Sequence, residues 1–100
     1  MPDITHVLDE ILFEWNSRKA TANLMKHGLS LETACEAFFD PFLFVVDEEE
    51  YVAGELREKV IGMLPDWRLI YVVYVMREDR IRLISAREAT AAERMLYETQ

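Results

Sequence analysis

Cysteine, glycine and proline are scarce in this chain, and each shortage closes off a class of structure. The single cysteine, Cys35, excludes an intramolecular disulfide and fits a reducing compartment. With three glycines and three prolines there is no collagen-like repeat and no low-complexity tract. Long apolar runs are missing too: residues 69–76, LIYVVYVM, are too few to span a bilayer. No segment joins a basic start to an apolar core, so no signal peptide is expected. The expectation is a cytoplasmic chain with no membrane partner. HExxH, CxxC, Walker A and GxSxG patterns are absent, and no metal site or cofactor is expected. Positive charge is short as well: 11 Lys and Arg stand against 19 Asp and Glu, a net charge of −8.

What is present suits a single α+β domain over residues 1–100, with enough apolar side chains (51%) to build a core without disulfide or metal. The charge is uneven. Residues 1–67 hold 5 basic and 14 acidic side chains, and residues 68–100 hold 6 and 5. The whole chain would repel a polyanion, so only a local patch can meet one.

The residues up to Glu10 are polar and expected to be frayed. Residues 11–15 read as a short strand. Asn16 is a helix N-cap, Ala20 and Leu24 give residues 17–26 a narrow apolar stripe, and Gly28 stops the helix. Ser30 opens a second helix with Leu31, Ala34, Cys35 and Phe38 as its buried face, ended by Asp40-Pro41. Residues 42–47 and 57–64 read as strands, the second closing at Pro65-Asp66. The strongest strands are 69–76 and 81–86. A turn at Glu78-Asp79 pairs Arg77 with Arg80, Val75 with Arg82, Val73 with Ile84 and Tyr71 with Ala86. Ile70, Val72, Tyr74, Met76, Ile81 and Leu83 then face the helices, and Tyr71, Val73, Val75, Arg77, Arg80, Arg82 and Ile84 face away. Thr90 and Glu93 form a capping box for a last helix, where Ala92, Met95 and Leu96 can pack. The expected fold is one antiparallel sheet with two N-terminal helices and a C-terminal helix.

Three blocks carry a resemblance: FEWNSRKATANLMKHGLSLETACEAFFDP (13–41), GELREKVIG (54–62) and VVYVMREDRIRLISAREATAAERMLYE (72–98). In this order they resemble the BrnT family, ribonuclease toxins of type II toxin–antitoxin pairs. The specific combination is KHG with a following FxDP, then IRLISAR and ERxxYE. The resemblance implies a RelE-like fold and RNA cleavage without metal. It also implies a BrnA-like antitoxin whose DNA-binding module takes the complex to its own promoter. DNA would be met only through that antitoxin. Asn16 stands where the family commonly has Asp.

RNA cleavage without metal needs a base for the 2′-hydroxyl, an acid for the leaving 5′ oxygen, and cations for the phosphorane. Arginine suits the last task, because its planar fork pairs two phosphate oxygens. Arg82 is the sharpest candidate; the plainer reading is a solvated cross-strand residue. Arg77, a catalytic candidate, and Arg80, an RNA contact, extend the patch or else keep the hairpin tip soluble. The resemblance supports Arg87, which otherwise salt-bridges Glu88 or Glu93. It also supports Lys26 and His27, which otherwise serve the helix dipole, worth roughly 0.3–1 kcal/mol. Histidine is the side chain best able to exchange a proton near neutral pH. Glu55 and Arg57 are catalytic candidates, Glu55 as base if a neighbouring arginine orients it; otherwise the two form a surface pair worth roughly 0–1 kcal/mol. Tyr71, on the arginine face, is the candidate for stacking on an RNA base, whereas Trp15 and Tyr74 read as core. The acidic balance supports a second reading: a catalytically weak toxin homologue acting as antitoxin partner and co-repressor, a non-enzymatic interaction protein.

Overall fold

The N-terminal residues pair rather than fray. In the computed structural model of the chain, which describes residues 3–100, Asp3–Leu8 (β1) runs antiparallel to Ile11–Asn16 (β2), from Asp3↔Asn16 to Leu8↔Ile11. Asp9 and Glu10 make the turn at φ 48° and 68°, a two-residue hairpin geometry that Asn-Gly ordinarily signals. Without that signal the hairpin was hidden. For Met1 and Pro2 the expectation of fraying lies outside the described residues.

Asn16 caps α1 (Ser17–His27), its side-chain oxygen accepting from Arg18 N at 2.9 Å and Lys19 N at 3.1 Å. Gly28 closes the helix at φ 66°, donating to Leu24 O, as expected. Ser30 caps α2 (Leu31–Ala34), which tightens into a 3₁₀ helix at Cys35–Phe39. Leu31, Ala34 and Cys35 are buried. Then follow β3 (Phe44–Val45), β4 (Glu50–Val52), β5 (Glu55–Met63), β6 (Leu69–Arg77), β7 (Arg80–Glu88) and α3 (Ala91–Glu98). The strand expected over 42–47 shrinks to two residues. The acidic residues Glu48, Glu49 and Glu50 follow, and the last of them opens β4, which pairs with β5 across the positive-φ turn Ala53-Gly54.

The strand order is β1-β2-β7-β6-β5-β3, with β4 also on β5. Neighbours are antiparallel except β2 and β7, which run parallel through Phe13↔Ile81 and Glu14↔Arg82. The sheet is therefore mixed and mostly antiparallel, a correction to the single antiparallel sheet expected. Local patterning cannot foresee a pairing between strands so far apart in sequence.

One bulge resets the long hairpin. Arg77↔Arg80 and Val75↔Arg82 hold, but the register shifts at Val73/Tyr74, so Tyr74 meets Leu83, Val73 meets Ser85 and Tyr71 meets Arg87. The expected pairs Val73 with Ile84 and Tyr71 with Ala86 are overturned. Ile84 is the extra residue, and it turns the rest of β7 over. Ala86 goes into the core, and Arg87 comes round to the Tyr71 face.

The core lies between the sheet and the first helices: Phe13, Trp15, Val60, Ile70, Val72, Tyr74, Leu83 and Ala86 meet Leu29, Leu31, Ala34, Cys35 and Ala37. Phe38 packs against Phe13 at 5.6 Å and edge-on to Tyr74 at 5.1 Å. Met76, expected here, is exposed at the end of its strand. The 3₁₀ helix touches β5 at Gly62, where a Cβ would stand 2.7 Å from Ala37 O. The apolar stripe of α1 also differs from expectation, since Leu24 is exposed and Asn23 is buried. Because β2 ends at Asn16, the Ala86 edge of β7 lacks a strand, and Asn23 takes its place. Ala86 N donates to Asn23 Oδ1 at 3.1 Å, and Asn23 Nδ2 donates to Ala86 O at 2.8 Å and Leu29 O at 2.9 Å.

The capping box of α3 is present, but Met95 and Leu96, expected to pack, are exposed, and the helix buries no residue. Polar ties hold it instead. Tyr97 donates its hydroxyl to Asp40 Oδ2 at 2.6 Å, and the same oxygen accepts from Met63 N at 2.7 Å.

Candidate active site

Alternation along β2 sends Phe13 and Trp15 into the core and Glu14 to the opposite face. There Glu14, its side chain only 9% exposed, gathers two guanidiniums. Arg80 Nη1 donates to Oε1 at 3.0 Å and Arg82 Nη1 to Oε2 at 2.9 Å. Arg77 Nη1 lies 4.0 Å from the same Oε2. Arg77 also grips Glu55 at two points, Nε to Oε2 at 2.8 Å and Nη2 to Oε1 at 3.1 Å. Arg82 reaches Asp3 twice, Nη1 to Oδ2 and Nη2 to Oδ1, each 3.2 Å. Arg80 Nε donates to Asp79 at 2.9 Å.

Four residues singled out in the sequence thus meet: Arg77, Arg80, Arg82 and Glu55. Two that were missed, Glu14 and Asp3, complete the cluster. The alternation in ILFEW was a signal for Glu14, but its partners depend on the parallel β2–β7 pairing. An open groove of about 400 Å³ runs beside the cluster, lined by Asp3, Glu14, Arg77, Glu78, Asp79 and Arg80.

The charges hold one another. Burial pushes the Glu14 carboxyl up, but hydrogen bonds from Arg82 and Arg80 outweigh it and leave it below its usual range. The Arg82 hydrogen bond likewise lowers Asp3, and that to Asp3 raises Arg82.

A second group lies five residues along β7, roughly 15 Å away at strand rise. The Arg87 guanidinium carbon stands 4.3 Å from the Tyr71 ring centroid, and its nitrogens donate to both Glu93 oxygens at 2.7 and 2.9 Å. The bulge makes this meeting possible, and it places a cation over the ring expected to stack on RNA. Between the groups, Lys59 is buried and held by Glu48 at 2.9 Å and Glu50 at 3.1 Å, an arrangement the sequence reading missed.

Arg57 occupies a different position. Lys59 pairs with Val73, so two residues back along β5 Arg57 stands across from Val75, in the row of Glu14 and Arg82. It is half-buried and, among the described residues, in no ion pair. Lys26 and His27 end α1, one turn beyond the Asn23–Ala86 contact. Among the described residues neither is bonded to the arginine cluster.

Cys35 is a core residue whose thiol burial pushes up to about 12, with Sγ 3.4 Å from Leu31 O. Among the described residues no three His, Cys, Asp or Glu side chains converge as metal ligands, and no helix is long and apolar enough to cross a membrane.

Residues 15–93, about four fifths of the chain, match the family described as ribonuclease toxin, BrnT, of type II toxin–antitoxin systems. The chain belongs to the BrnT family. No curated protein matches it. BrnT membership makes it a type II ribonuclease toxin and implies a protein antitoxin as its counterpart. The stretch matching BrnT contains Lys26, His27, Glu55, Arg57, Tyr71 and the arginines of β6 and β7, whereas Asp3 and Glu14 lie just before it.

Proposed function

We propose that this BrnT chain cleaves RNA without a metal ion along the row Glu14, Arg82, Val75, Arg57. The carrying observation is the Glu14–Arg82 contact: a buried carboxylate holds a guanidinium in place before any substrate arrives. Arg57 flanks Val75 on the other side, about 10 Å from Arg82 at two strand spacings. Two long side chains over that span can close on one phosphodiester. Glu55, fixed at two points by Arg77, takes the 2′-hydroxyl proton as that oxygen attacks phosphorus, and the 5′ oxygen leaves with a proton from solvent water. Arg80, Arg87 and Tyr71, with Lys26 and His27 beyond Ala86, extend the path of the RNA. The α+β arrangement is read as RelE-like. A BrnA-like antitoxin neutralises the chain by covering this face, and its DNA-binding module carries the complex to its promoter.

The test is cleavage of RNA by the purified chain, free of antitoxin, in EDTA. Arg82→Ala should lower the rate by roughly 10²–10³-fold in a chain that still melts cooperatively. An unchanged rate would remove Arg82 from the mechanism, and activity restored only by added Mg²⁺ would end the metal-free reading.

One observation favours a second reading. Every arginine at the hairpin tip is already ion-paired. A toxin homologue that binds its antitoxin tightly and represses with it, yet leaves RNA intact as a lone chain, fits that pairing.

A further inference from the structure

Among the described residues the tip cluster has no positive charge to spare. Its ion pairs join three guanidiniums, Arg77, Arg80 and Arg82, to four carboxylates, Asp3, Glu14, Glu55 and Asp79. An RNA phosphate can take the Nη1–Nη2 edge of Arg82 only by replacing Asp3, which holds both nitrogens. The two acids that hold Arg82 differ in how firmly they are placed. Glu14 is 9% exposed and lies inside the sheet, between the core residues Phe13 and Trp15 of β2. Asp3 is 47% exposed and is the first residue of β1, an edge strand that buries none of its residues and pairs with β2.

The Asp3 contact also has the shape of the expected substrate. Two carboxylate oxygens, each 3.2 Å from Arg82 nitrogens, lie on one guanidinium, as two phosphate oxygens would. The open groove alongside is lined by Asp3, Arg77 and Arg80 among others, and its volume of about 400 Å³ gives a displaced carboxylate and an entering backbone room.

We infer that Asp3 is an internal stand-in for phosphate: it occupies a phosphodiester subsite on Arg82 and must leave for RNA to bind, while Glu14 stays and holds the guanidinium. This rests on reading Arg82 as the phosphate contact. The subsite takes a phosphodiester oxygen pair. The β1 end acts as its gate, and charge at that gate sets how readily the toxin engages RNA.

The experiment measures binding of a short 2′-O-methyl RNA, which lacks the attacking hydroxyl, to the full chain free of antitoxin at low salt. Asp3→Asn keeps the shape and removes the competing charge. It should tighten binding roughly fivefold, the scale of a surface ion pair. Asp9→Asn makes the same charge change at the exposed far end of the hairpin, where Asn tolerates the positive φ, and should change binding less than twofold. In an Arg82→Ala background the Asp3→Asn gain should vanish. Equal gains from Asp3→Asn and Asp9→Asn would reduce the effect to net charge and overturn the inference, as would no gain from Asp3→Asn or a gain that survives loss of Arg82. Melting curves of each variant show that it is folded. Cleavage of ordinary RNA by the same proteins is scored separately: the binding pattern without cleavage in any variant would sink the ribonuclease reading and leave the subsite standing.

Discussion

Across the helix-covered face of the sheet, Phe13, Val60, Val72 and Leu83 are at most 1% exposed, and Asn23 is the polar side chain buried among the helices there. Across the other face, the buried polar side chains among the described residues are Glu14 and Lys59, and both are ion-paired. Apolar burial gains stability without regard to direction. Burying a charge costs several kcal/mol, which a well-placed partner only offsets. Apolar burial, on the helix face and at Ile61, Leu69 and Val75 on the other, therefore holds the fold, and the ion pairs contribute little net stability for the order they maintain. Side chains kept in register at so small a stabilising return are those on which a function would rest.

Substitutions can break this comparison. Phe13→Ala should cost about 3–5 kcal/mol in chemical denaturation, as expected of a fully buried aromatic. A cost near that of a surface change would mean that the helix face is not the main source of stability. Asn23→Ala should cost about 2–3 kcal/mol, since it strands the N–H and C=O of Ala86 in the core. Hydrogen exchange should show the Ala86 amide losing protection before the rest of β7, and a protected amide in that variant would contradict the strand-substitute role.

Where the two layers meet at the β5 edge, Tyr97→Phe should cost about 1–2 kcal/mol, because the lost bond goes to a carboxylate. Burial, then the Asp40 hydrogen bond, push the Tyr97 hydroxyl to about 12 from its ordinary 10.0. A value raised on folding means that this contribution is intact below pH 10 and is lost as pH rises toward 12. Wild type should therefore lose melting temperature over that interval more steeply than Tyr97→Phe, and parallel curves would refute the linkage. Asp40 behaves oppositely: burial raises it, but hydrogen bonds from Tyr97, Met63 and Phe42 bring it below its ordinary 3.8, so its contribution disappears only in acid. Arg77→Ala, on the paired face, should cost less than about 1 kcal/mol of stability while lowering RNA cleavage through the freed Glu55. A large stability loss would remove the contrast between the faces.

Much of the fold was legible from particular residues. Asn16 and Gly28 bracket α1, Ser30 opens α2, and Thr90 with Glu93 opens α3, because caps act through bonds only a few residues long. The alternation in β6 and the tip pairs Arg77↔Arg80 and Val75↔Arg82 were also readable. The bulge at Ile84 was not, and it moved Arg87 to the other face. The β1–β2 hairpin escaped notice because Asp9-Glu10 carries no glycine signal. Of the site, the grouping of Arg77, Arg80 and Arg82 on one face was visible, but Glu14 and Asp3 were not, since their arginine partners sit 66 to 79 residues away.

Taken alone, the sequence determined the helix ends, the strongest strands, the acidic balance and the family blocks. Each of these rests on local bonds or on the identity of residues, which need no folded chain to be read. Only the tertiary structure decided which carboxylates neutralise the arginines, that β2 lies parallel to β7, and that Asn23 completes a strand edge. Those outcomes depend on which distant groups the closing sheet brings within a few ångströms, where charge and hydrogen bonding act most strongly.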